Sequence, residues 1–276
     1  MIDLHSHTNE SDGTTPPAEL VQEALAAGLE ALGVTDHDTL AGYDQAAPVA
    51  AEAGLDIVCG VELSTKLHGK SVHLLGYFVN QPPSDEFRGW LHAMQESRRD
   101  RNRRMIERLR SLGLDITLEE VQAVGRSLAG RPHFARILVQ KGYVQNTQQA
   151  FDEYLDASAK GYVDRMEPAF AEAVERIVDG GGIPSVAHPV RLGRNHAEKT
   201  IGEMVEMGLK AVEVYHSDHS PADTAAFLAI ADRYGLAVTG GSDFHGDAKP
   251  RIRLGTGHDG NLNVPLAVLQ NLRAAA

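Results

Sequence analysis

Thirteen of the 276 residues are histidines, and their placement carries more than their number. His5-Ser6-His7 comes first. In an extended segment residues i and i+2 point the same way, so both imidazoles can reach one cation. Asp12, His37, Glu62 and His73 follow, then His188 ahead of Pro189, then Asp243-Phe244-His245. Singly, each has an ordinary explanation: a hydrogen-bonded core histidine, a capping aspartate, a solvated glutamate. Together they are hard to place as packing. Histidine is seldom a core residue, and so many imidazoles and carboxylates facing one another need partners. Metal ions supply such partners.

These side chains need a frame that brings them together. One local pattern recurs: an amphipathic helix, a Gly-Leu pair, a short apolar run, then a polar cluster. Gly28-Leu29 leads through ALGV to Thr35-Asp36-His37-Asp38, and Gly54-Leu55 through DIVCGV to Glu62. Gly208-Leu209 leads through KAVEVY to His216, and Gly235-Leu236 through AVTGGS to Asp243. Glycine just past a helix supplies the left-handed conformation, and the apolar run after it reads as a buried strand. Thr15-Pro16 and Ser220-Pro221 read as helix starts, a capping hydroxyl before a proline. The alternation predicts parallel strands with helices outside.

The predicted strands are 2–5, 31–35, 56–61, 71–78, 183–187, 210–215 and 236–241. Seven of them imply an α/β fold, a distorted (β/α)7 TIM-like barrel. Chemistry in such barrels sits at the C-terminal strand ends, and His5, His37, Glu62, His188, His216 and Asp243 fall at or just past them. The stretch 84–167 holds helical sequence and no convincing strand. It is expected to be a helical insert that contributes to substrate binding, with the barrel formed by 1–83 and 168–276.

Composition narrows the classes. Apolar residues make up 42% of the chain and charged ones 23%, which excludes a disordered or fibrous protein. With 26 Lys and Arg against 38 Asp and Glu, the net charge of −12 speaks against coating nucleic acid or a membrane. No apolar run approaches the roughly 20 residues a spanning helix needs. The opening MIDLHSHTNE lacks the basic and apolar regions of a signal peptide. Cys59 is the single cysteine, so no internal disulfide forms and a cytoplasmic setting is expected. Residues 98–141 run against the overall charge, with eleven Lys and Arg to five acids, a net of +6. No membrane association and no stable protein partner is inferred.

His5-x-His7 with Asp12, Thr35-Asp36-His37-Asp38, Glu62, His73, His188-Pro189 and Asp243-x-His245 resemble the PHP (polymerase and histidinol phosphatase) family. The resemblance spans residues 1–80 and 180–250, with every position of the nine-ligand pattern filled. The segment Gly130-Arg131-Pro132-His133-Phe134-Ala135-Arg136 resembles the TrpH-like subgroup. That likeness implies a distorted (β/α)7 barrel that binds up to three metals and hydrolyses phosphoesters. Its substrates would be nucleoside 3′,5′-bisphosphates, or short RNA cut 5′ to 3′. It further implies one ion on His5, His7, Glu62 and Asp243, a second on Glu62, His73 and His188, and a third on Asp12, His37 and His245. Glu62 would bridge the first two. Imidazole and carboxylate without thiolate suit Mn2+, Zn2+ or Fe2+, and Mn2+ is favoured, with two or three ions in all. Asp36 and Asp38 are expected to orient imidazoles.

Clustered divalent ions bring the pKa of bound water toward ~7 and clamp the oxygens of an in-line displacement. The expected nucleophile is therefore a metal-bridging hydroxide. No Ser-His-Asp order and no G-x-S-x-G suggests a covalent route. His216 is a candidate acid for the leaving oxygen, with Asp12 and His245 as further catalytic candidates. Arg191 and Arg194 could fork onto phosphate oxygens. Arg131 and His133, at a helix N-terminus, are expected to hold a second, non-reacting phosphate, with Asp12 also near the substrate. The arginines of 98–110 read as solvated or paired with Glu96, Asp100 and Glu107, and that run has no aromatic residue to stack a base. The leading expectation is hydrolysis of the 3′-phosphate of a nucleoside 3′,5′-bisphosphate to the 5′-monophosphate. The alternatives are a 5′–3′ exonuclease on short 5′-phosphorylated RNA and, against the intact ligand set, a non-catalytic PHP module.

Overall fold

The computed structural model describes residues 1–125, 129–165 and 167–276; Arg126 of the basic segment lies outside them. Among these residues seven strands form one sheet in the order of the chain: β1 (Ile2–Asp3), β2 (Ala31–Val34), β3 (Asp56–Leu67), β4 (Lys70–Phe78), β5 (Ile183–Val186), β6 (Ala211–His216) and β7 (Ala237–Gly241). The sheet curls until its edges meet. The Leu4 N–H donates to Gly240 O at 3.1 Å and the Asp243 N–H to His5 O at 2.9 Å. Gly241 makes that approach possible, because a Cβ there would sit 2.2 Å from the His5 nitrogen. The result is a nearly closed seven-stranded barrel.

Helices α1 (Pro17–Ala26) and α2 (Ala41–Ala53) cover the first strands. The short strands behind them are apolar and buried, as β2 is at all four positions. Ser220 caps the next-to-last long helix of the chain, Pro221–Tyr234, by accepting from the Asp223 N–H at 3.2 Å. Thr15 does not cap α1. Consecutive prolines move the helix start to Pro17, so that Pro16 is the N-cap and no side chain bonds there.

One strand departs from the expected parallel order. β4 runs antiparallel to both β3 and β5. His68-Gly69, with φ of +49° and +74°, turns the chain between β3 and β4 in two residues, the geometry of a tight hairpin. β3 therefore continues to Leu67, beyond the predicted end at 61. Glu62 lies inside a long strand opposite Leu75, and His73 opposite Ser64.

After β4 the chain leaves the barrel. α3 (Asp85–Ser111) is followed by α4 (Leu118–Gly125), α5 (Arg131–Gln140), α6 (Thr147–Ala150) and a wide turn at Phe151–Leu155, before α7 (Phe170–Asp179) returns. Met105, Leu109, Ile116, Phe134, Leu138 and Leu155 form an apolar cluster of their own. The first turns of α3 are different, because Phe87 and Leu91 pack with Phe78 and Ile177 in the barrel's core. α3 thus belongs to both bodies. The remaining helices are α8 (Ala197–Glu206), α9 (Pro221–Tyr234) and α10 (Leu266–Ala274), with a small hairpin of β8 (Ile252–Arg253) and β9 (Gly257–His258). No helix among the described residues is long and apolar enough to cross a membrane.

Candidate metal centre

Glu62 is the hub. Its Oε1 lies 2.8 Å from His73 Nδ1 and 2.9 Å from His188 Nε2. Its Oε2 lies 3.1 Å from His7 Nε2, 3.3 Å from His5 Nε2 and 3.4 Å from His37 Nδ1. Five imidazoles from three strand ends and a hairpin thus surround one carboxylate. Asp243 Oδ1 adds a second acceptor, 3.5 Å from His7 Nε2 and 3.6 Å from His5 Nε2. Asp12 meets His245 Nε2 at 3.2 Å, His7 Nδ1 at 3.6 Å and His37 Nε2 at 3.7 Å.

The grouping follows the expected sets with two differences. His5, His7, Glu62 and Asp243 offer ligand atoms within 4.8 Å of one another, as do His7, Asp12, His37 and His245, and His37, Glu62 and His73. His7 therefore joins the set expected for Asp12, and His37 stands beside His73. His188 reaches the centre through the same Glu62 oxygen as His73. The backbone is strained here: His188 has φ +32° and Asp243 φ +58°, left-handed values that non-glycine residues adopt only where their surroundings enforce them.

The electrostatics suit ligation. Burial opposes ionisation of Glu62, Asp12 and Asp243. The imidazoles around Glu62 and Asp12, and Lys249 with His245 beside Asp243, outweigh it and hold all three carboxyls well below their usual range. Burial pushes His188 down to about 3 and His37 to about 4, so both are neutral lone-pair donors. His7 goes the other way: against burial, Asp243 and Glu62 raise it to about 9. Protons and cations compete for that ring. The buried Nε2 atoms of His5 and His7 have no hydrogen-bond partner, while both face the Glu62 and Asp243 oxygens. Buried imidazole nitrogens aimed at ionised oxygens, with no thiolate present, fit hard or borderline divalent cations.

The other predicted residues divide. The His216 Nδ1 accepts from the Asp218 N–H at 3.0 Å, which leaves the proton on Nε2, 3.7 Å from Asp243 Oδ2. Arg191 bridges Asp218 at 2.7 Å and Asp243 at 3.2 Å. Arg194 is not at the site: it pairs with Asp223 on α9. Asp36 and Asp38 do not touch imidazoles as expected. Asp36 accepts from the Thr8 N–H at 2.8 Å and the Thr8 hydroxyl at 2.7 Å, and so shapes the loop that presents Asp12. Asp38 accepts from the Ser64 N–H at 3.0 Å, from Arg165 at 2.9 Å and from Arg98. The His133 Nδ1 accepts from the Gly130 N–H at 2.9 Å; it satisfies a free donor of its own helix start, and that nitrogen is closed to an anion.

A cavity of about 180 Å³ opens beside the centre. Asp12, His37 and His73 form one wall, and Arg98, Arg101, Arg131 and Arg165 another. Arg131 donates to Leu155 O at 3.3 Å and leans over the Tyr162 ring. Arg98, Arg101 and Arg165 are buried and were not expected here. The signal for two of them is in the sequence: 98, 101, 102, 105, 106 and 109 share one helix face, all buried. Glu213 and Lys249, both bonded to site residues, were also not foreseen.

The chain resembles known proteins along most of its length. The PHP domain family matches residues 3–166. A 3′,5′-nucleoside bisphosphate phosphatase from Chromobacterium violaceum is 34% identical over 88% of the chain and 87% of its own length. The 5′-3′ exoribonuclease Rnm of Escherichia coli is 33% identical over 92% and 88%. Among solved structures, an amidohydrolase from Chromobacterium violaceum with bound sulfate superposes with a TM-score of 0.85 at 32% identity, covering 99% of this chain and 96% of that one.

Proposed function

The chain belongs to the PHP family, and we propose that within this family of phosphoric ester hydrolases it removes the 3′-phosphate of a nucleoside 3′,5′-bisphosphate, leaving the 5′-monophosphate. The observation that carries this is the juxtaposition of the nine-residue centre with the arginine cavity. A bisphosphate presents one phosphate for hydrolysis and a second for recognition. Arg98, Arg101, Arg131 and Arg165 supply a dense, fixed array of donors for the second, where guanidinium forks match phosphate oxygens.

His5, His7, Asp12, His37, Glu62, His73, His188, Asp243 and His245 would hold two or three divalent ions, Mn2+ by preference. When bound, such ions acidify coordinated water and polarise phosphoryl oxygens. The chain's own residues do the rest. Asp12 stands between the centre and the cavity, where it orients both. Arg191 and Lys249, on the far side of Asp243, face the reacting phosphate's other oxygens. His216, with its Nε2–H turned toward Asp243, is placed to donate a hydrogen bond to the leaving oxygen, whose proton would come from water. The cationic cavity gives an acidic chain a local field that attracts a dianion. A cytoplasmic setting is part of the proposal, on the lone Cys59.

The test is an incubation of Mn2+-loaded protein with three substrates: a nucleoside 3′,5′-bisphosphate, a nucleoside 5′-monophosphate and a 5′-phosphorylated RNA trimer. Free phosphate from the first alone is expected. Mononucleotides released from the trimer would favour the exonuclease reading, which the exoribonuclease relatives support. No turnover of any would overturn both.

A further inference from the structure

Glu213, on β6, lies outside the nine-residue set, yet it is fully buried among those residues. Its two oxygens are spent on two of them. Oε1 lies 2.8 Å from His5 Nδ1, and Oε2 accepts from the His188 backbone N–H at 2.6 Å. His5 leaves β1 and His188 follows β5, so one carboxylate ties together ligands delivered by two different strands.

Each bond has a distinct consequence. A carboxylate only accepts, so the His5 Nδ1 must carry the proton and its Nε2 presents a lone pair. That Nε2 is the atom 3.3 Å from Glu62 and 3.6 Å from Asp243. His188 has φ +32° and ψ +60°, disfavoured for any residue with a Cβ and again for one before proline. In that conformation its N–H meets Glu213 while its Nε2 meets Glu62 at 2.9 Å.

We propose that Glu213 is a positioning residue: it sets the tautomer of His5 and pins the strained backbone of His188, so that both rings turn Nε2 toward Glu62. His5, Glu213 and His216 also bring ligand atoms within 4.8 Å of one another. With both Glu213 oxygens already accepting from N–H groups, that trio is a brace for ligands and not another ion site. The proposal rests on the metal-centre reading, not on the substrate.

Glu213→Gln tests it. An amide oxygen can accept from only one of the two N–H groups, and its NH2 then faces the other donor. Calorimetric titration with Mn2+ should show a 10- to 100-fold loss of affinity, the size seen when partners behind metal-binding histidines are removed. Wild-type affinity and stoichiometry in a folded Glu213→Gln protein would overturn the proposal. Should that variant fail to fold, the wild type answers alone. In Zn2+-loaded protein labelled with 15N-histidine, the His5 signal, assigned by its loss in His5→Gln, should show a protonated Nδ1. A protonated Nε2 overturns the proposal. Normal Mn2+ binding without nucleotide turnover would overturn only the substrate assignment, and wild-type protein that binds no Mn2+ overturns both.

Discussion

Arg101 lies one turn after Arg98 on α3 and lines the same cavity, yet only Arg98 meets a carboxylate. Among the described residues no hydrogen bond or ion pair reaches the Arg101 guanidinium, and its Nε is buried without a partner. Burial, followed by the nearby charges of Arg98, Arg165 and Arg131, depresses its basicity. A buried, unpaired cation costs stability in the free protein and recovers that cost when an anion arrives.

Arg101→Met should therefore raise KM for a nucleoside 3′,5′-bisphosphate about 10- to 100-fold, from the ~1.5–3 kcal/mol carried by charged hydrogen bonds. Its kcat should change little, and its melting temperature should not fall. Steady-state kinetics and a thermal melt check both halves. A lower melting temperature with unchanged KM would place Arg101 among merely structural groups.

Asp38 behaves in the opposite way. It holds Arg98 and Arg165 together, joining α3 to the barrel loop after β2. Asp38→Asn removes the charge that two buried guanidiniums share, with Glu167 remaining 3.5 Å from Arg165, and should cost about 3 kcal/mol. Its carboxyl is held well below the usual range: burial opposes this, but Arg165 and Arg98 outweigh it. A depressed folded-state pKa stabilises the protein above the unfolded value near ~4, and the gain is lost as pH falls below that. Melts at pH 7, 5 and 3 should show the gap between wild type and variant hold at the first two and narrow at the third.

Removing divalent ions should act on stability as well as turnover. Glu62, Asp12 and Asp243 are all ionised and surrounded by imidazoles, so a cation that binds only the folded chain stabilises it by mass action, about 2.7 kcal/mol at a hundredfold excess over Kd. Dialysis against EDTA should abolish phosphate release and lower the melting temperature, and Mn2+ should restore both. An unchanged melting temperature across that cycle would argue against an ion-binding centre.

Much of the centre was legible because strands deliver their last residues to one rim: the apolar runs before His37, His216 and Asp243 located those side chains directly. The antiparallel turn of β4 was harder. A repeating helix–strand rhythm argues for parallel neighbours, and only the short His68-Gly69 between two apolar runs signalled a hairpin. Glu213 was hidden for a related reason. Within KAVEVY a lone carboxylate reads as the solvent-facing member of an alternating strand, whereas inside a closed barrel that face turns inward. The arginines of α3 are spread around several faces of the helix, which makes most of them read as solvated or paired. Their periodicity, continuing the buried face of Met105, Ile106 and Leu109, was the better guide.

α3 spans 27 residues, about 40 Å at 1.5 Å per residue. It is clamped at its root by Phe87 and Leu91 and carries the outer helices at its tip. Mechanically it is a beam held along its length. Arg98 and Arg101 sit near its midpoint, where Asp38 receives Arg98, and farther along Arg104 and Arg108 are tied to the carbonyls of Asp164 and Lys160. On the proposed function, sequence drift in the outer helices would resize or reshape whatever lies beyond the cavity and leave the arginines at mid-helix in place beside the metal centre.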